Sequence, residues 1–214
     1  MTPKFIQAID PVFLHVLDLL DRIDQGDSSA PQAEQLQIMG LLDQAEAIVG
    51  SGHEWELAKY ALVSWVDEML VETVWEGSDW WSNNVLEVKF FKTRNCNEQF
   101  YLRARETSTL PQRDTLEVFY VCVILGFRGL YRDPELTAGS LQVHGLPPDL
   151  DTWTKQTSLS IRLGQGRPPL ARAEREMAGA PLRKTKTLLV WAWLLVIILI
   201  TCNVLYFNIV ATGS

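Results

Sequence analysis

Apolar positions recur along this chain with helical periods over most of its length. Phe13, Val16, Leu17, Leu20 and Ile23 fall on one face after Asp10-Pro11, which predicts an N-cap followed by a first-position proline. Gly26 to Ser29 interrupts the pattern. Pro31 opens a second helix with its stripe at Ile38, Leu41, Leu42, Ala45 and Val49, closed by Gly50-Ser51-Gly52. The third segment, about His53 to Trp75, is the clearest. There Ala58, Ala61, Leu62, Trp65, Val66, Met69, Leu70 and Thr73 keep a three-four spacing for over four turns. Shorter pieces follow, SDWWSNNVLEVKFF and NEQFYLRARE. Pro111 then starts a helix that aligns Leu116, Phe119, Tyr120, Val123 and Phe127. Asp133 to Pro148, with two Gly and three Pro, reads as loop, and Asp149 opens a helix through Leu150, Trp153, Thr157 and Ile161. Only Val85 to Phe91 hints at strand alternation, and it is short. The pattern predicts an all-α head of about seven helices with no internal repeat.

A different signal closes the chain. Leu188 to Val210 is an apolar run of 23 residues without Asp, Glu, Lys or Arg. As a helix it would reach about 34 Å, enough for the roughly 30 Å hydrocarbon core of a bilayer. Trp191 and Trp193 lie near one end, Tyr206 and Phe207 near the other, and Arg183, Lys184 and Lys186 precede it. Those basic residues place the N-terminal side in the cytoplasm. The expected organisation is therefore a cytoplasmic helical domain at 1–163, a basic Pro/Gly/Arg-rich tether at 164–187, a single transmembrane anchor at 188–210 and a short periplasmic tail at 211–214. The N-terminus has no apolar leader segment.

Charge follows the same division. Residues 1–161 hold 12 Lys+Arg against 24 Asp+Glu, and residues 162–214 hold 7 against 2, together the net −7 of the chain. A basic stalk suits anionic lipid, whereas so acidic a head argues against nucleic acid. Cys96, Cys122 and Cys202 have no paired spacing, so they suggest neither a disulfide framework nor a zinc site. His53 begins HEWEL, but Leu57 stands where a zinc protease needs its second histidine. Gly164-Gln165-Gly166 runs into Arg-Pro-Pro, which cannot open a phosphate-binding helix. The residues predict no catalytic site, no cofactor and no metal, and so no enzyme.

Four stretches carry a resemblance: AKYALVSWVDEMLVETVW (58–75), the WW…NVLEVKFF block (80–91), NEQFYLRARE (97–106) and LEVFYVCVILGFRGLYRDPE (116–135). In that order they resemble the TssL/DotU family, also called IcmH/DotU, of type VI and type IVb secretion systems. Glu117, Tyr120, Cys122, Leu125-Gly126-Phe127, Gly129 and Tyr131 match the most specific element, and Val66-Asp67-Glu68 the second. Cys96-Asn97 replace the two glycines that relatives often carry before the position of Glu98. The resemblance implies two small helical bundles set at an angle with a cleft between them. It also implies a structural inner-membrane subunit that pairs with an IcmF/TssM-like membrane protein and docks a TssK-like baseplate subunit. Self-association into a homodimer or higher oligomer fits the same role. A type IVb stabiliser of an IcmF-like protein is the alternative, and a tethered enzyme using Asp67, Glu68 and Glu98 is a remoter one.

Several residues stand out as candidates for partner contact. Asp67 and Glu68 match the family's cleft-lining element, and Glu68, Glu72 and Glu76 repeat four residues apart on the same helix. An acidic cleft there would steer a basic partner; a solvated acidic face is the plainer reading for Glu72 and Glu76. In the anchor, Asn203 lies deep, where an amide favours a hydrogen bond to another helix. Trp75, Trp80 and Trp81 suggest packing at a helix end. Gly126 and Gly129 should allow positive φ around Phe127, Tyr131 should be core, and Arg128 could pair with Glu117 or Glu98.

Overall fold

The computed structural model describes residues 1–26 and 29–164, together with 193 and 194. The expected tether and anchor, and Asn203 with them, otherwise lie outside the described residues. No helix among the described residues is long and apolar enough to cross a membrane.

The described head is helical, with no strand among these residues. Its elements are α1 Pro3–Asp24, α2 Pro31–Val49, α3 His53–Glu72, α4 Ser78–Asn83, α5 Leu86–Phe91, α6 Cys96–Thr107, α7 Asp114–Ile124, a 3-10 turn Gly129–Tyr131, α8 Pro134–Val143 and α9 Leu150–Gly164. Helix α3 is central. Trp55 and every residue from Leu57 to Glu68 are buried, so α3 is covered on all sides rather than along one stripe. Small residues Ala58, Ala61 and Ser64 let neighbouring helices approach. The α1–α2 hairpin packs on one part of α3, and α4 to α7 pack around the rest. One core runs from Phe5 on α1 to Trp153 on α9.

Its densest part is aromatic. Phe100 stacks on Phe127 with centroids 3.9 Å apart and meets Phe119 edge-on at 4.8 Å. Tyr101 then reaches Tyr131 at 4.8 Å and Trp153 at 5.3 Å, tying α6 to the 3-10 turn and α9.

Three boundaries differ from the sequence reading, each for a local reason. Helix α1 begins at Pro3, and Pro11 lies inside it rather than at its start. A proline there removes one N–H, but Pro11 and Gln7, whose carbonyl loses that donor, are both exposed. At such an exposed position the freed carbonyl can be hydrated, which lowers the usual cost. Helix α7 begins at Asp114, not Pro111, and stops before Phe127. The segment 134–143, read as loop, is helical. Its Pro134 is a first-position residue, and Gly145, with φ +62°, ends it as Leu146 N–H returns to the Leu141 carbonyl at 2.9 Å. Those Pro and Gly residues punctuate a helix. With α8 and the split of 78–91 into α4 and α5, the described helices number nine where about seven were expected.

Candidate functional site

The site begins with two neighbouring acids on α3. Consecutive helical residues point about 100° apart, so Asp67 and Glu68 leave α3 in different directions. Asp67 turns toward α4 and α5. Its Oδ1 accepts the Trp81 indole N–H at 2.9 Å and the Leu86 N–H at 2.8 Å, and its Oδ2 accepts the Glu87 N–H at 2.8 Å. The first turn of α5 is thereby capped from outside its own sequence. Glu68 turns the other way. Its two oxygens accept the Arg128 and Gly129 N–H groups at 2.7 and 3.0 Å, and the Arg132 guanidinium lies 2.9 Å from Oε1.

A third carboxylate continues the chain of caps. Glu87, on α5, accepts Tyr60 O–H at 3.0 Å, Thr93 O–H at 2.8 Å, and the Asn95 and Cys96 N–H groups at 3.1 Å each. It therefore holds the start of α6, at the turn where Cys96-Asn97 stand in place of glycines. Asp67, Glu68 and Glu87 are 4, 6 and 1 % exposed. A buried carboxylate survives only with its lone pairs met, and these are met largely by backbone donors that would otherwise be orphaned. α3 thus fixes α5, α5 fixes α6, and α3 also fixes the 3-10 turn.

Two glycines shape that last connection. Gly126, with φ +117°, ends α7: Phe127 N–H reaches the Cys122 carbonyl at 3.0 Å and Gly126 N–H the Val123 carbonyl at 3.2 Å. Gly129 sits at φ +51°, and a Cβ there would lie 2.8 Å from the Asn97 carbonyl oxygen and 2.9 Å from the Phe127 ring. The positive-φ turn foreseen around Phe127 is present, with Phe127 and Tyr131 in the core. Arg128 pairs with neither Glu117 nor Glu98. Its guanidinium donates to the Val123 and Phe127 carbonyls, while Glu98 meets His144 at 2.7 Å.

Between these elements lies a cleft of about 230 Å³. Asp67, Glu68 and Glu87 line its inner wall, with Val71 and Val85 as apolar surface and Glu72, Arg94 and Arg132 nearer solvent. The sequence brings Asp67, Glu68 and Glu72 forward as contact residues, and the structure does place all three on this cleft. It gives them different parts, however. The first two are turned inward and spent on backbone donors. Glu72 is 53 % exposed and meets Arg132, itself 42 % exposed.

Electrostatics agree with a structural part for the inner acids. Burial pushes the Asp67 carboxyl up from 3.8 to about 6, against the lowering effect of the Glu87 and Leu86 N–H groups and the Trp81 indole. Burial, then the neighbouring Glu87 charge, pushes the Cys96 thiol up, so it stays protonated and unreactive. Tyr60 is raised in the same way. Among the described residues no group of His, Cys, Asp and Glu is placed to hold a metal ion.

Sequence reasoning missed Glu87 and Arg132. The available signal for Glu87 was a single charge inside the apolar run NVLEV. Arg132 had none, because its partners lie about sixty positions away.

Comparison with known proteins places this geometry. The cytoplasmic domain of TssL from Acinetobacter baumannii has a similar fold, with a TM-score of 0.60 at 21% identity, covering 75% of this chain and 98% of that one. A comparison with curated protein sequences finds no match. The family described as type VI secretion system protein DotU matches residues 4–210, both head and apolar run. With the helical head and the acids of α3 in place, the chain belongs to the type VI secretion system DotU family.

Proposed function

We propose that this chain is a structural subunit of the inner-membrane complex of a type VI secretion system, acting through protein contacts without catalysis or cofactor. Residues 1–163 form its cytoplasmic head, 164–187 a tether, 188–210 the transmembrane anchor and 211–214 a periplasmic tail. The head docks a TssK-like baseplate subunit, and the chain pairs with an IcmF/TssM-like membrane protein. Asn203 is the handle inside the bilayer, for that partner or for a second copy. The family description names type VI, which favours this reading over a type IVb stabiliser.

The observation that carries the proposal is the cleft whose walls are pinned by buried carboxylates. A wall tied through Asp67, Glu68 and Glu87 loses little freedom when a partner binds, and such preorganisation is what a docking surface needs. Glu72 and Arg132 at its rim present one charge of each sign to the partner. Asp67 and Glu68 act on it through the walls they hold. An enzyme reading gains nothing from these acids, since their lone pairs are committed and Cys96 is held as a thiol.

Co-purification of the full chain from its own membranes tests this. Recovery of an IcmF-like protein together with a baseplate subunit supports it, and recovery of neither overturns it.

A further inference from the structure

The acidity of the head conceals one outcrop of the opposite sign. Lys89, Lys92 and Arg94 lie within six positions on α5 and the turn after it, and all are exposed. The single acid of that stretch, Glu87, is buried and already holds four donors. Lys92 donates to the Lys89 carbonyl at 2.9 Å and Arg94 to the Ser82 carbonyl, and none of the three cations has a carboxylate partner among the described residues. Some other cations of the head do, Lys59 with Glu46, Arg132 with Glu68 and Glu72, and Lys155 with Asp151, whereas Lys4, Arg105 and Arg128 also reach only carbonyls but are not gathered within six positions. An apolar knob sits among the free charges. Val88 is 42 % exposed, and the half-buried Phe90 carries the Lys59 ammonium 4.4 Å from its ring centroid. Lys92 takes the left-handed conformation at φ +58°, turning the chain at this corner.

We propose that this outcrop rests on the anionic headgroups of the bilayer and orients the head upon it. The inference rests on the reading of 188–210 as a membrane anchor. Ammonium and guanidinium groups left without carboxylates suit lipid phosphates, and Val88 and Phe90 suit the boundary between headgroups and acyl chains. Each basic side chain near an anionic surface is worth about fivefold in binding, so three give about 100-fold. That is too little to draw a free domain firmly to a membrane. It is ample to orient a head whose own anchor holds it there at high local concentration. The remaining surface acts in the same sense. Asp10, Asp18, Asp21 and Asp24 are all exposed on α1, and an anionic surface repels them. Because Arg94 also lines the cleft, seating the outcrop would set the direction in which the cleft opens relative to the bilayer.

The test uses the full chain in nanodiscs, one chain per disc, of phosphatidylcholine alone or mixed with phosphatidylglycerol. Lysines are labelled with an amine-reactive reagent and read individually by mass spectrometry, with exposed Lys4 and Lys155 as internal references. Lys89 and Lys92 should label several-fold more slowly than the references in anionic discs only. Salt that shortens the Debye length to about 3 Å should restore their rate. Equal labelling in the two lipids overturns the outcrop's role while leaving the anchor reading intact. Protection that needs two chains per disc and ignores lipid charge would point to an acidic face of a second copy, and also overturns it. A chain that fails to enter discs at all removes both the anchor and this inference.

Discussion

Replacing Glu68 with Gln keeps the side chain's shape and removes one acceptor, which makes it a sharp probe of the cleft wall. Both oxygens of Glu68 serve backbone donors, Arg128 N–H at 2.7 Å and Gly129 N–H at 3.0 Å. Whichever way the new amide faces, its NH₂ confronts one of these N–H groups. A buried donor left without an acceptor costs about 1–3 kcal/mol. The lost ion pair with Arg132 adds no more than about 1 kcal/mol, since that guanidinium is partly solvated. A total of about 1–4 kcal/mol corresponds to a fall of roughly 2–16 °C in Tm for a head of this size. Glu72→Gln is the control. That residue is 53 % exposed, and its loss should cost under about 0.5 kcal/mol. Thermal melts of the full chain in detergent, followed by circular dichroism, measure both. An E68Q melt indistinguishable from the parent, with baseplate docking abolished, would make Glu68 a contact residue and refute the reasoning.

Further expectations follow from neighbouring groups. The Asp67 carboxyl, raised in the folded state from 3.8 to about 6, binds its proton more tightly folded than unfolded. Its stabilising contribution is full below about pH 4 and falls as pH rises through about 6, by at most about 1.4 kcal/mol per unit. Melts across this window should show the parent losing more stability than Asp67→Asn, and equal or reversed slopes would contradict the assignment. Gly129→Ala should cost at least about 2 kcal/mol in denaturant unfolding, from the left-handed backbone and the close Asn97 carbonyl. Gly139→Ala, in α8 with open space around it, should instead stabilise by about 0.5–1 kcal/mol. Phe100→Ala should cost about 3–5 kcal/mol by emptying the aromatic stack, and a loss below about 1 kcal/mol would mean that the stack relaxes freely. Glu72→Lys, with the parent's melt, should weaken baseplate recruitment in a pull-down; unchanged recruitment would place the contact elsewhere.

Helices whose apolar period and end signals agree were readable directly. Helix α2 runs from Pro31 to the Gly50 stop, and Asp149 caps α9 through the Thr152 N–H at 2.7 Å. Where Pro and Gly are the only cue, the sequence is ambiguous. Pro11 reads as a start, and Pro134 with Gly145 reads as loop, because solvent access at one and helix-end geometry at the other decide their meaning. The acids of α3 show the same limit. Asp67, Glu68 and Glu72 are equally polar on paper, yet which of them faces solvent depends on α5 and the 3-10 turn folding back from 19 and about 60 positions away. The period of α3 itself marks a helix but not one covered on every side.

The central claim is that buried carboxylates, turned inward, hold the walls of the cleft. Amide hydrogen exchange of the parent chain tests it most directly at Leu86, Glu87, Asn95, Cys96, Arg128 and Gly129. All but Leu86, Glu87 and Cys96 lie outside α-helices, and all six N–H groups donate to Asp67, Glu87 or Glu68. The account predicts that these amides exchange as slowly as those in the middle of α3. Exchange at the rate of open loop amides would mean that the three acids are free to face a partner, and would contradict it.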